Sequence, residues 1–282
     1  MSAQPKTLRV AVAQPYTKLG DVEGNLEQVL DLTAQAAVNG CELILFPETT
    51  LHGYSNPPEV MAKAITRDGP VAKSLLRHAR RYNIAIVVGA FERDLATDNV
   101  YISQFIALGD GELIVQRKHL GHEKPGVAQA PQSPEVFAVR GVRCCAVICA
   151  DSGVEDIDGK LVDAGCQLKL HPTAGGPKQS AGFSLKDFED PDRYKAYIAA
   201  MKKVCFPPNE LLAERYRYRM ALATSNLSTA DDGADYFQPG HSMIIDSDGN
   251  LVGLIPGTYV KEHFGPRLTW ADIHPATPRR PA

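Results

Sequence analysis

A chain of 282 residues with 44% hydrophobic content can bury a substantial core, and its length suits one large domain better than two small ones. Its 30 Lys and Arg against 33 Asp and Glu give a formal charge of −3 with no long run of either sign, which argues against nucleic acid and anionic membrane surfaces as partners. Met1 to Thr7 holds no basic region followed by an apolar stretch, and nothing later offers the roughly 18 uninterrupted apolar residues of a membrane helix, so a cytoplasmic location is expected.

In chain order, Leu8 and Val10 to Ala13, closed by Gln14–Pro15, predict a largely buried strand. Asp21 can cap a helix in which Val22, Leu26, Val29, Leu30, Leu32 and Ala36 recur at helical spacing, with a stop at Asn39–Gly40. Leu43 to Phe46 reads as a short strand halted by Pro47, which leaves Glu48 just beyond a strand end. A helix over Val71–Tyr82 and strands over Ile84–Phe91, Val100–Leu108 and Leu113–Arg117 follow, with a tight turn at Gly109-Asp110-Gly111; Lys118 comes directly after the last strand.

Strand patterns return at Val136–Val139 and Val142–Cys149, so Cys149 also reads as a strand-end residue. A weak helix over Asp156–Ala164 and a strand over Gln167–Leu170 come next. Gly175–Asp192, rich in Gly, Pro, Ser and Asp, is the candidate mobile loop or lid. Helices over Pro191–Val204 and Glu210–Tyr218 precede strands at Ala221–Ser225, Met243–Asp246 and Leu251–Leu254, the last two joined through Ser247-Asp248-Gly249, and the Pro-rich tail from His274 reads as irregular. The class is mixed α/β, several strands being apolar enough for burial on both faces. A single domain is expected over residues 1–282, with its core at about 8–255 and a tail at about 256–282.

Six cysteines (Cys41, Cys144, Cys145, Cys149, Cys166, Cys205) show neither paired C-x-x-C spacing nor a compact disulfide framework. His119, His122, His171 and His241 form no H-x-x-x-H or dense ligand cluster, so no metal and no cofactor is expected. A lone cysteine after an apolar strand is more often a small buried hydrophobe than a nucleophile. That reading suits all of them except Cys149, because three strands here end in residues useful for acyl transfer: Glu48, Lys118 and Cys149.

Those three residues and their surroundings resemble the nitrilase superfamily of carbon–nitrogen hydrolases, whose Glu-Lys-Cys triad occurs in this chain order. The likeness is carried by Phe46-Pro47-Glu48 with Gly53-Tyr54, by Asn99 and Arg117-Lys118-His119-Leu120, and by Ile148-Cys149 with Asp151. It continues through His171-Pro172-Thr173-Ala174, Asn226, Gly240-His241-Ser242, Ile244-Ile245-Asp246 and Gly249, spanning roughly residues 8 to 255. The resemblance implies a four-layer α-β-β-α sandwich, commonly paired into homodimers or larger homo-oligomers.

It also implies roles. A thiolate attacks the amide or nitrile carbon while a carboxylate in hydrogen-bond reach takes the thiol proton, which would be Cys149 and Glu48. Lys118 and the backbone N–H of Ala150 would hold the oxyanion, with Asp151 and Tyr54 in the pocket. The family's second glutamate falls at Glu123, with Glu135 as the rival assignment. Lysine proximity is expected to favour a reactive thiolate at Cys149.

The chain departs from the pattern at Ala150-Asp151-Ser152-Gly153-Val154, where many members carry an aromatic residue, then Asp, Arg, Phe and Pro. Without that arginine, no guanidinium stands there to grip a substrate carboxylate in bidentate fashion. The leading expectation is hydrolysis of a small amide with release of ammonia. N-carbamoyl hydrolysis, nitrile hydrolysis and an inactive binding or assembly module are the alternatives.

Overall fold

A computed structural model describes residues 7–120, 125–131, 135–175, 190–193, 195–196, 199, 209–229, 238–257 and 265–281. The first strand, β1 (Leu8–Gln14), is buried at nearly every position, as its apolar run requires. Helix α1 (Val22–Val38) begins where the Asp21 carboxylate accepts the Gly24 N–H at 3.1 Å, and it ends before Gly40, whose φ of +75° suits glycine. Then come β2 (Leu43–Leu45), a single proline-started turn α2 (Pro58–Met61) too short to show periodicity, and α3 (Pro70–Tyr82). Strands β3 (Ala85–Arg93), β4 (Val100–Ala107) and β5 (Leu113–Arg117) close the first half.

The second half repeats the plan. Strands β6 (Val136–Val139) and β7 (Val142–Ala146) lead through a 3₁₀ turn at Cys149–Gly153 into α4 (Ile157–Asp163), then β8 (Leu168–Thr173). Helix α5 (Asn209–Tyr218) precedes β9 (Ala221–Asn226), β10 (Ser228–Thr229), β11 (Gln238–Ile245), β12 (Leu251–Gly257) and β13 (Arg267–Ile273).

Two sheets result. The first runs β13-β1-β2-β3-β4-β5 and the second β10-β11-β9-β8-β7-β6, with β12 paired to β11. Strands β1, β2 and β3 are parallel, as are β7, β8 and β9, so each half holds strand–helix–strand units. The inner faces meet in one apolar core: Val10, Val12, Leu45, Val87 and Ile106 from the first sheet against Ala146, Leu168, Leu170, Ala223 and Ile244 from the second. Helices α1 and α3 cover the outer face of the first sheet through Val29, Leu32, Leu75 and Ala79 packed on Ile44, Ile86 and Phe105. Helix α4 sets Ile157 and Leu161 against Cys145, Val147 and Cys166, and Leu212 of α5 packs on Leu222, Met243 and Ile245. This is the expected α-β-β-α sandwich.

Three sequence expectations need correction. The core does not stop near residue 255, because β13 pairs antiparallel with β1 along its whole length, pinned by Arg9 bonded through two nitrogens to Asp272 at 2.7 and 2.8 Å. Strand β7 ends at Ala146, where its pairing with β8 ends, so Cys149 opens a 3₁₀ turn and is not a strand-end residue. Strand β8 runs on to Thr173 because β9 pairs with it as far as Asn226. Most of the Gly175–Asp192 loop and of the Pro191–Val204 helix lies outside the described residues, as does Cys205.

The turn that carries Glu48 rests on a glycine. A Cβ at Gly89 of β3 would strike Thr49 N, Pro47 O and the Gln104 amide, while Gly89 O accepts the Leu51 N–H at 3.0 Å. Gly89→Ala should therefore cost about 1–3 kcal/mol, read as a lower urea midpoint at unchanged slope. An unshifted midpoint would mean that the turn can lift without cost.

Candidate active site

Glu48 lies three residues past β2, with its N–H on Thr173 O at 3.3 Å, a bond that crosses from one sheet to the other. Thr50 Oγ1 donates to Pro47 O at 2.8 Å, and Thr49 takes a left-handed φ of +50°, so the turn is tightly specified. Lys118 follows β5, where alternation turns Arg117 and Lys118 to opposite faces. Arg117 grips Glu92 at 2.8 and 2.9 Å and stacks over Tyr101 at 4.1 Å, while Ser103 donates to the same carboxylate at 2.6 Å. With its own N–H on Ile102 O and its carbonyl on Ala130 N, Lys118 is fixed along the backbone.

Its side chain points inward. Lys118 Nζ bonds Glu48 Oε1 at 2.6 Å, with 2% and 0% of the two side chains exposed. The other carboxylate oxygen, Glu48 Oε2, is buried and engaged by no hydrogen bond among the described residues. Burial disfavours the Lys118 ammonium, but Glu48 and then Cys149 outweigh it and hold the amine above its ordinary value of 10.5.

Cys149 completes the group with φ at +46°, an uncommon angle for a residue with a Cβ and one that costs backbone energy. Two contacts hold this turn. His171 Nε2 lies 3.1 Å from Cys149 O, and since burial drives its pKa down to about 4, the ring is neutral and donates this bond. Asp151, two residues on, accepts the His119 N–H at 3.1 Å and the Leu120 N–H at 2.6 Å, tying the segment after Lys118 to the turn that bears the thiol.

Burial first, and the Glu48 carboxylate next, push the Cys149 thiol up to about 12 against the lowering effect of Lys118. The expectation of a resting thiolate is thus corrected: near neutral pH the thiol keeps its proton, and a base must take it during the reaction. Cys149 is half-buried, whereas Cys41, Cys144, Cys145 and Cys166 are buried, as their reading as small hydrophobes anticipated. Around Cys149 lie Val60, Phe91, Val100, Ile102 and Ile148, and nearby Tyr54 packs with Ala174 and Leu227.

Of the sequence candidates, Glu48, Lys118, Cys149 and Asp151 come together here, and Ala150 sits half-buried in the same turn. Glu123 lies outside the described residues, and its rival Glu135 is exposed. No group of three or more potential metal ligands occurs among the described residues, and none of their helices is long and apolar enough to cross a membrane.

A half-buried thiol thus stands beside a buried carboxylate–ammonium pair where two helix-covered sheets meet. The chain belongs to the carbon–nitrogen hydrolase family, whose model matches residues 9–185, within the nitrilase superfamily. Over 128 residues it is 35% identical to an aliphatic nitrilase of Rhodococcus rhodochrous, a match covering 40% of this chain and only 34% of that enzyme. In structure it is similar to a carbon–nitrogen hydrolase superfamily protein of Xanthomonas campestris at TM-score 0.71, with 20% identity over 95% of this chain and 91% of that one. It is also similar to the NitN amidase of Nesterenkonia sp. AN1 at TM-score 0.72, with 21% identity over 94% of this chain and 92% of that one.

Proposed function

We propose that the chain hydrolyses the carbon–nitrogen bond of a small amide, releasing ammonia and a carboxylate through a thioester on Cys149. The observation that carries this reading is the Lys118–Glu48 pair at 2.6 Å beside Cys149, with Glu48 Oε2 left as a buried acceptor.

The steps balance on three side chains. Glu48 accepts the thiol proton as sulfur bonds to the amide carbon, and the oxygen charge that develops faces the Lys118 ammonium. Glu48 then returns that proton to the nitrogen as the C–N bond breaks, leaving ammonia and an acyl thioester. Water, deprotonated by Glu48, attacks the thioester; the C–S bond breaks, and the thiol recovers its proton. A thiol held protonated at rest suits this cycle, in which the proton leaves sulfur only as sulfur attacks.

Apolar neighbours on the Cys149 side favour an uncharged acyl group, and Ser152 stands where many relatives carry arginine, which disfavours N-carbamoyl amino acids. Support for amides comes from the Nesterenkonia amidase, a variant of which has been solved in complex with butyramide. A second reading, nitrile hydrolysis, is favoured by the 35% identity to an aliphatic nitrilase. Ammonia release from a panel of simple amides, carbamoyl amino acids and nitriles separates these. Amides should turn over fastest; release from nitriles alone would replace the first reading with the second.

A further inference from the structure

We infer that His171 and Ser152 are positioning residues that clamp the Cys149 carbonyl and so aim the backbone N–H of Ala150 at the oxygen on which charge gathers during attack. The inference rests on the reading of Cys149 as the attacking atom.

Cys149 O receives two side-chain donors. His171 Nε2 stands 3.1 Å from it, and because a carbonyl can only accept, that nitrogen carries the ring hydrogen; the Ser152 hydroxyl donates to the same oxygen at 2.9 Å. The two come from different parts of the fold. Ser152 reaches back three residues within its own turn, a common habit of hydroxyl side chains. His171 belongs to β8, where alternation puts Leu170 into the core between the sheets and leaves Lys169 and His171 on the outer face. The carbonyl is thus drawn toward the outer side of the second sheet.

A peptide unit is planar, and no described one is cis, so the C=O and N–H of the Cys149–Ala150 link point in opposite directions. Fixing the carbonyl therefore fixes the Ala150 N–H as well. It is turned away from His171, toward the side on which Lys118, Glu48 and the first-sheet residues Phe91, Val100 and Ile102 lie. Among the described residues that N–H donates to no group, and Ala150 is only half-buried. The φ of +46° at Cys149 adds a second sign. Unrelated hydrolases also set the nucleophile on a strained turn and offer the next residue's N–H to the oxyanion. Such strain persists only where the surroundings hold it, and the clamp is that hold. Without it the linking plane can rotate and carry the N–H away, leaving Lys118 to face the oxygen alone.

The test compares two reactions of Cys149 in the full-length protein. Butyraldehyde combines reversibly with the thiol: a C–S bond forms, the carbonyl π pair moves onto oxygen, and that oxygen takes the charge or the thiol proton. Iodoacetamide alkylates the same sulfur by displacing iodide and creates no oxyanion. Protection against alkylation by graded butyraldehyde therefore gives the strength of the oxyanion site without reference to any turnover. In Ser152→Ala and in His171→Phe the Kd of butyraldehyde should rise by about five- to tenfold, while alkylation without aldehyde stays within about twofold of the natural rate. On butyramide, kcat should fall by a similar factor and KM move much less. His171→Gln, whose amide can offer an N–H at similar reach, should recover most of the loss. Exposed Ser152 decides the matter if His171→Phe does not fold. Arg9→Ala, which loosens only the β1–β13 edge, should lower the melting temperature and leave both reactions alone.

A butyraldehyde Kd in Ser152→Ala and His171→Phe equal to that of the natural protein would overturn the proposal. So would a loss of alkylation as large as the loss of aldehyde binding, since that would mean a distorted nucleophile. Weakened aldehyde binding in variants of a protein that hydrolyses no amide would leave the clamp standing and sink the amidase reading. Unchanged aldehyde binding in variants of an active amidase would do the reverse.

Discussion

Cys149→Ala should abolish turnover, lowering kcat by about 10⁴-fold or more, because no other group in the site can form the covalent intermediate. The other described cysteines are buried, so none can take its place. The variant should fold normally, since the side chain is half-buried and alanine relieves none of the contacts that hold the turn, which run through Cys149 O and Asp151. It should also bind amide substrate and hold it unreacted, visible as a melting temperature that rises with ligand concentration. Substantial ammonia release from Cys149→Ala would remove this sulfur from the mechanism.

Lys118→Met should damage both chemistry and stability. In the natural protein the ammonium is 2% exposed and bonded to a fully buried carboxylate, and methionine of similar length leaves Glu48 charged and unpaired. The expected cost is about 3–5 kcal/mol of stability, with kcat lower by about 10²-fold or more as the oxyanion loses its countercharge. The sign of the pH dependence follows from the direction of the shift. Because folding raises the amine above its ordinary 10.5, the contribution of Lys118 is fully present below that pH and is lost as pH rises through the folded-state value. The natural protein should therefore lose stability above about pH 10.5 more steeply than Lys118→Met does. Parallel stability curves for the two proteins would argue that the pair contributes nothing.

Much of this was legible in the sequence, for reasons that differ by element. The cap at Asp21, the stop at Gly40 and the apolar runs of β1, β3 and β4 are local signals, and the folded chain obeys them. The ends of β7 and β8 are not local. The apolar run continues through Val147 and Ile148, but the last bond to β8 is the Val147 N–H on Leu170 O, and beyond it the chain turns into the 3₁₀ segment at Cys149. Strand β13 is half-exposed with a mixed pattern and gains its place by pairing with β1, some 260 positions earlier in the chain, which a local reading cannot detect.

The site divides in the same way. Glu48, Lys118 and Cys149 could be singled out because each follows an apolar strand and their order resembles a known family. The supports could not. His171 and Asn226 stand in recognised motifs, yet their jobs, holding Cys149 O and the Thr173–Gly175 arch, depend on distances across the second sheet. Nor does sequence disclose that Cys149 adopts a left-handed φ, since no glycine marks it.

The most direct test of the account is the intact mass of the protein quenched in acid during turnover of a slow amide, followed by peptide mapping. The account predicts a mass increase equal to the acyl group, located on Cys149, that decays with release of the carboxylate and disappears in Cys149→Ala. Steady ammonia release with no adduct on Cys149, even with the slowest substrates and rapid quenching, would contradict it.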